Sequence, residues 1–244
     1  MTRSLVAMSL SLFALSASAQ DLTITFKSTD GGSATHYFSK DRIRMNGGRT
    51  DTLLEFASGR IVTVDNQKKE YSEMTVVEID EAMKGMAAQM EQAMAQVPPQ
   101  MREQMAKMMG GAAAEVTVTK GATKMVAGYS CQSYTITMGA NMSQETCNST
   151  ALTPPFDLAN LQKLTRVSLP MIQGMDKFIQ KMSEIQGIAL STHMSMSMMG
   201  RKTDTGLEAT QISKGAIPAD VFALPAGYKK VDSPLKKLPK MGGR

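Results

Sequence analysis

Residues 60–74, with the sequence RIVTVDNQKKEYSEM, contain the pattern on which the predicted fold depends. Apolar and polar residues alternate from Arg60 to Val64, polar turn residues follow at 65–68, and a second extended segment reaches Met74. Alternation with a period of two is typical of a strand that is buried on one face. A short polar segment between two such strands is typical of a hairpin. Residues 60–74 therefore predict two antiparallel strands.

The same alternation extends from this hairpin toward the amino terminus. It recurs in residues 22–26, 36–38 and 42–45, and glycine pairs at 31–32 and 47–48 separate these segments. Glycine between alternating segments indicates tight turns. We therefore predict a meander of short antiparallel strands from residue 21 to residue 74.

After this meander the hydrophobic pattern changes to a helical period. Methionines recur at steps of three and four over residues 78–109, and Pro98-Pro99 interrupts them, which predicts two helices hinged at the prolines. A second helical segment is predicted over residues 157–186, where Leu158, Leu161 and Leu164 form one apolar stripe. Such helices must bury their apolar side against the sheet or a ligand.

The two cysteines of the chain flank a predicted hairpin. Residues 129–138 and 143–149 are the predicted strands, and residues 139–141 the turn. Cys131 and Cys147 stand symmetrically about Gly139, so we expect them to face each other and to form a disulfide in an oxidising compartment. The alternative, a reactive thiol pair, lacks a basic neighbour that would lower the pKa of either thiol.

Strands thus precede and follow each helical segment. Further strands are predicted at residues 115–119, 188–199 and 206–213. This order of elements predicts an α+β fold, with one curved antiparallel β-sheet and helices packed on its concave face.

The first nineteen residues predict a cleaved signal peptide. Arg3 precedes an apolar run, and Ala17-Ser18-Ala19 matches a signal-peptidase site. The residue directly after this site is Gln20 and not a cysteine, and no other segment is long enough to span a membrane. We therefore expect a periplasmic or extracellular protein without a lipid anchor. The expected organisation is a signal peptide (residues 1–19), a single domain (20–231) with helical insertions at about 78–109 and 157–186, and a flexible basic tail (232–244).

Four segments resemble a known family. They are HYFSKDRIRM (36–45), the segment 61–74 with KEY at its centre, KMVAGYSCQSY (124–134) and GAIPADVFALPAGYKK (215–230). Together they resemble the exported bacterial domain-of-unknown-function family 4412, which is similar to the periplasmic lipoprotein carriers of the LolA/LolB type. The resemblance implies a LolA-like half-barrel of antiparallel strands around helices, with an apolar cavity between them, and it implies no catalytic residue.

The chain has 23 methionines and no tryptophan, and three interpretations of the methionines stay open. Thioethers fill irregular gaps in cores, and they also line cavities that accept variable apolar shapes. The predicted cavity-lining residues are Met83, Met86, Met90, Met94, Met101, Met105, Met175 and Met182. The third interpretation is copper, because soft thioethers select Cu(I). The residues of this alternative site are His193, Met194, Met196 and Met198, with further ligands required from the helices, since same-face residues of one strand lie about 7 Å apart.

The sequence contains none of the common catalytic or nucleotide-binding motifs. We expect a non-enzymatic binding protein without a cofactor, which holds a lipid or a lipoprotein acyl chain between its sheet and its methionine-rich helices. A periplasmic Cu(I)-binding protein and a structural envelope protein without a ligand are the alternatives. Residues 229–244 carry six basic residues and one acid, which predicts peripheral contact with an anionic membrane; no nucleic-acid partner is expected.

Overall fold

The computed structural model of the protein describes residues 20–98, 100–101, 115–139, 141–167, 175–198 and 201–237. The α-helices that lie wholly within these ranges are α1 (Val76–Ala95), α2 (Leu158–Val167) and α3 (Met175–Glu184). Two short 3-10 helices span Ala219–Phe222 and Pro234–Lys237. The strands are β1 (Leu22–Ser28), β2 (Ser33–Phe38), β3 (Arg42–Asn46), β4 (Thr50–Glu55), β5 (Arg60–Asp65), β6 (Glu70–Thr75), β7 (Val116–Val126), β8 (Tyr129–Met138), β9 (Met142–Ser149), β10 (Ile188–Met198), β11 (Arg201–Lys214) and β12 (Lys229–Lys230).

All twelve strands belong to one sheet, in the order β12-β6-β5-β4-β3-β2-β1-β11-β10-β9-β8-β7. Every pairing is antiparallel except that of β12 with β6. The predicted meander is confirmed as β1–β6, and the α+β class is confirmed with it. The first strand lies in the middle of the sheet because β11 returns to pair with it.

An apolar row crosses six strands on the face that carries the helices, which we call the helix face. Cross-strand register places these residues opposite one another in turn, in the order Met74, Ile61, Leu54, Ile43, Phe38 and Leu22. Leu164 of α2 and Val76 of α1 pack against this row. The row therefore explains why the amphipathic helices dock on this side of the sheet.

The opposite face of β4 and β5 is covered by residues 217–228, which we call the C-terminal strap. Phe222 of the strap is buried against Leu53, Val62 and Val64. The meander is thus covered on both faces. For this reason β4, which lacks an alternating pattern, was not among the predicted strands: Leu53 faces the strap and Leu54 faces the helices, and both are buried.

A buried ion pair anchors the strap. The guanidinium of Arg44 donates at 2.8 Å to the carbonyl oxygens of Val221 and Ala223 and at 2.7 Å to the carboxylate of Asp51. Asp51 is only 2% exposed, and its second oxygen accepts a hydrogen bond from the Asn66 amide at 3.0 Å. These bonds connect the strap to strands β3 and β4.

Helix α1 begins with a capping box. The backbone N–H of Thr75 donates to the Glu78 carboxylate at 2.8 Å, and the N–H of Glu78 donates to the Thr75 hydroxyl at 3.2 Å. Lys236 also donates to Glu78, at 2.7 Å, and these donors lower the pKa of the Glu78 carboxyl to about 2. Residues 234–237 of the predicted tail therefore contact the start of α1.

The predicted disulfide between Cys131 and Cys147 is confirmed, with the two Cα atoms 5.3 Å apart. The two cysteines were predicted to be directly opposite each other, and this register is wrong by two residues: Cys147 is opposite Ser133 and not Cys131. Met138 pairs with Met142, so the turn is centred one residue after Gly139. The disulfide therefore joins diagonal neighbours of β8 and β9.

The predicted helical segments are confirmed in part. Residues 76–95, 158–167 and 175–184 are helical. Outside the described residues lie Pro99 of the predicted Pro98-Pro99 hinge, residues 102–114 and residues 168–174. The stripe on α2 is narrower than predicted: Leu164 is buried but Leu158 is 44% exposed. The predicted signal peptide and residues 238–244 also lie outside the described part of the chain.

Candidate functional site

Methionines gather at two places where a helix meets the helix face. The first methionine cluster consists of Met74, Met83 and Met86. The second methionine cluster consists of Met138, Met142, Met182, Met194 and Met196. Each cluster combines residues of the sheet with residues of a helix.

The first methionine cluster lies between β6 and α1. Ile79, Met83 and Met86 stand at positions i, i+4 and i+7 of α1, which puts them on one helix face. Met83 is buried beside Met74, while Met86 and Leu235 are only partly buried. The inner part of this cluster is packed core, and its outer part is accessible.

The second methionine cluster lies on three adjacent strands. Met138 of β8 is opposite Met142 of β9, and Met142 is opposite Met196 of β10. Met194 lies two residues before Met196 and therefore on the same face. Directly opposed residues have Cβ atoms about 4.5–5.5 Å apart, so these side chains are immediate neighbours.

Helix α3 covers the second methionine cluster. Phe178 of α3 is buried against it, and Met182 packs on it while remaining partly buried. Met138 and Met142 are buried, whereas Met194 and Met196 are partly accessible. The cross-strand pairings of β1 with β11 and of β11 with β10 identify the residues of β10 that lie on the helix face, and these include Met194 and Met196. Both methionine clusters therefore lie on the same face of the sheet.

The predicted cavity-lining residues divide between these places. Met83 and Met86 belong to the first methionine cluster and Met182 to the second, while Met101 is 55% exposed. The side chains outside the described part of the chain are those of Met90, Met94, Met105 and Met175. The structure therefore brings the described members together in two groups and not in one.

The predicted copper residues are divided by the pleat of β10. Met194 and Met196 lie in the second methionine cluster, while the side chain of Met198 is outside the described part. His193 alternates with them and is opposite Glu145 and Gly206 on the other face. Met138 and Met142 were not among the predicted site residues, although they flank the predicted turn at residues 139–141.

Two clefts elsewhere in the described residues are lined mainly by polar groups. One, of about 350 Å³, lies beside the disulfide and is lined by Gln132, Tyr134 and Glu184 among others. The other, of about 150 Å³, lies at the edge of β6 and is lined by Arg60, Glu73 and Lys230 among others. The lining of the second cleft includes Met74 of the first methionine cluster, while the lining of the cleft beside the disulfide includes no methionine.

One titratable group on the helix face has a strongly shifted pKa. His36 lies between the rings of Phe26 and Phe38, with centroid distances of 4.7 and 6.1 Å. Burial lowers the pKa of His36 to about 4, so the imidazole is neutral near pH 7. Within the described ranges no three His, Cys, Asp or Glu side chains are placed to bind one metal ion.

Within the described part of the chain, we find no helix with the length and hydropathy needed to cross a membrane.

A family model described as "Domain of unknown function (DUF4412)" matches residues 21–228. No curated protein matches the chain significantly in sequence.

The chain is similar to several solved structures. An uncharacterized conserved protein from Thermus thermophilus has 6% identity and a TM-score of 0.43, over 89% of this chain and 92% of that chain. MucB in the MucA/MucB complex of Pseudomonas aeruginosa has 14% identity and a TM-score of 0.37, over 86% of this chain and 56% of that chain. A structure of MucB alone has 14% identity and a TM-score of 0.34, over 87% of this chain and 59% of that chain.

Proposed function

The chain belongs to the DUF4412 family, and we propose that it is an exported, non-enzymatic binding protein that holds an apolar ligand between the helix face and the helices. The ligand is an acyl chain, as part of a lipid or a lipoprotein. The observation that carries the proposal is the incomplete burial of apolar side chains where the helices meet the sheet.

Incomplete burial is most evident between α1 and α2. Phe38, Phe56 and Phe156 form an aromatic group in which the Phe156 centroid lies 5.9 Å from that of Phe38 and 5.6 Å from that of Phe56, yet all three rings are only partly buried. Met86 is also partly buried, and Leu158 is exposed. Removing apolar surface from water is favourable by about 25 cal/mol per Å², so an apolar ligand that covers these groups would gain affinity from them.

A long-range contact supports a half-barrel shape. Strands β7 and β11 have Cα atoms within 8 Å of each other, although β8, β9 and β10 lie between them in the sheet. In a flat sheet, strands four positions apart are separated by about 19 Å. A curved sheet would account for the contact and would provide a concave surface that can enclose a ligand.

Export is supported by the disulfide, because such bonds persist in oxidising compartments. Peripheral membrane contact through the basic tail is a further part of the proposal. Lys230 and Lys236 are paired with Glu73 and Glu78, so the contact would rest on the remaining cations, of which Lys229 is exposed.

The experiment is native mass spectrometry of the full chain, exported by a bacterial host and purified without detergent. A co-purifying lipid, together with saturable binding of the neutral fluorophore N-phenyl-1-naphthylamine, is the expected result. The double variant Met86→Gln/Leu158→Gln should bind the fluorophore about a hundredfold more weakly or worse, since each side chain contributes about 1.5 kcal/mol or more when a ligand covers it and about 1.4 kcal/mol corresponds to a factor of ten in affinity.

The matched control is Met125→Gln. Met125 is equally apolar and 68% exposed, but it lies on the edge strand β7, so its replacement should leave fluorophore binding unchanged. Absence of both lipid and saturable fluorophore binding would overturn the proposal and favour a structural envelope protein without a ligand.

A further inference from the structure

We propose that the second methionine cluster is a binding site for one soft monovalent metal ion, Cu(I), for which Ag(I) is a redox-inert substitute. The ligands are the thioether sulfurs of Met138, Met142 and Met196, with Met194 and Met182 at the accessible side. The inference goes beyond an apolar ligand and uses different residues from those tested above.

Cross-strand register provides the geometry that one strand lacks. Alternate residues of a single strand lie about 7 Å apart, which is too far for sulfurs that share one ion. Met138, Met142 and Met196 instead occupy one row across β8, β9 and β10, where neighbours are about 5 Å apart at Cβ. Three sulfurs at about 2.3 Å from a trigonal ion are about 4 Å apart, which flexible methionine side chains on this row can reach.

The side chains of the second methionine cluster are uncharged, which favours a soft ion. Its members are neutral thioethers and hydrocarbon groups. The polar neighbours on the same face are uncharged: Gln144 is buried two residues after Met142, and Thr205 and Thr203 are opposite Met194 and Met196 in the register. Glu145 and Asp204 are on the opposite face, because they are opposite His193 and Ser195 in the register. Among the described members of this cluster, hard cations such as Mg²⁺ or Ca²⁺ therefore find no carboxylate, while thioethers suit Cu(I).

The disulfide removes the competing ligands. Thiolates bind Cu(I) more strongly than thioethers do, but both cysteines of the chain are joined to each other. The partial exposure of Met182, Met194 and Met196 leaves the sulfurs accessible from the side of α3. An ion can thus reach the cluster without unfolding of the sheet.

The test is a competition titration with the chromophoric Cu(I) chelator bicinchoninate, in ascorbate, which keeps copper monovalent and leaves the disulfide intact. We expect one Cu(I) per chain, and an affinity that changes less than about threefold between pH 5 and pH 8, because thioethers carry no proton to release. An affinity that rises steeply with pH would assign the ion to histidine or carboxylate ligands and would overturn the proposal.

The variant Met142→Leu/Met196→Leu should bind Cu(I) about tenfold more weakly or worse, since even the loss of an outer-shell partner costs a metal site about tenfold. Leucine conserves the volume, and thermal unfolding checks the fold. The control is Met83→Leu/Met86→Leu in the first methionine cluster, which should bind as the wild type does. Equal losses in both variants, or less than one ion bound to the wild type, would refute the assignment.

A second measurement locates the ion even where a variant unfolds. With methyl-¹³C methionine, addition of Ag(I) should shift the methyl resonances of the second methionine cluster and leave those of Met74, Met83 and Met86 in place. Shifts in the first cluster alone would place the ion elsewhere and overturn the proposal. Lipid binding by the same preparation tests the carrier function independently, so the two proposals can fail separately.

Discussion

Replacing Arg44 with methionine tests the anchor of the C-terminal strap. The substitution removes two hydrogen bonds to the strap carbonyls of Val221 and Ala223 and leaves the Asp51 carboxylate, which is 2% exposed, with the Asn66 amide as its remaining side-chain donor in the described residues. Breaking a buried ion pair from one side costs about 3–5 kcal/mol, because a charge stays buried without its partner. For a protein of this size, each kcal/mol lowers Tm by about 2–4 °C, so we expect a loss of about 6–20 °C.

The matched control is Arg60→Met. Arg60 pairs with two carboxylates, those of Glu55 and Glu73, each at 2.8 Å, but its side chain is 32% exposed. Exposed pairs contribute about 0–1 kcal/mol each, so this variant should lose less than half as much stability. Urea unfolding followed by circular dichroism measures both free energies.

A double variant separates the buried charge from the lost strap contacts. In Arg44→Met/Asp51→Leu the uncompensated carboxylate is gone, so stability should recover by about 1–3 kcal/mol relative to Arg44→Met alone. The reasoning is refuted if Arg44→Met destabilises no more than Arg60→Met does, or if the second substitution brings no recovery.

Three further predictions concern other elements. The folded-state pKa of His36, about 4 against an ordinary 6.5, means that the unfolded chain binds more protons between these values, so the free energy of unfolding should fall by up to about 3 kcal/mol as the pH falls through this window. Urea titrations at several pH values should show that His36→Leu loses this part of the pH dependence, and an unchanged pH profile would contradict the shift. Thr75→Ala removes the capping hydroxyl of α1 and should cost about 1 kcal/mol in urea unfolding, whereas Thr117→Ala, at an exposed position of β7, should cost less than half of that. Replacing both Cys131 and Cys147 with serine opens a loop of sequence separation 16 and should cost about 3 kcal/mol, and a Tm equal to that of the oxidised wild type would contradict this.

Local patterns predicted most of the elements. The alternation over residues 60–74 and the turn at residue 139 are local signals, and the structure has strands and hairpins at both. Where burial is not periodic, the prediction failed. Leu53 and Leu54 are adjacent and both buried, which requires the C-terminal strap on one face and α2 on the other, and neither partner is near β4 in the sequence.

For the methionine clusters as well, contacts within one element could be predicted from the sequence, whereas contacts between distant elements could not. Helical spacing predicted that Met83 and Met86 share one side of α1, and they do. The row of Met138, Met142 and Met196 depends on which strands are neighbours and in which register, and the pairing of Met142 with Met196 joins residues 54 positions apart. Periodicity within one strand carries no information about such a row.

The central position of β1 has a consequence for how the chain acquires its structure. Leu22 pairs with Lys214, which follows it by 192 residues, so the middle of the sheet is completed only after residue 214 has emerged from the ribosome. Until then the meander β1–β6 presents the unpaired edge of β1, and such edges recruit strands of other chains. Pairing over so long a separation is also slow, because loop closure precedes the gain from contacts. We expect folding to be limited by the arrival of β11 and the growing chain to need protection from aggregation during that interval.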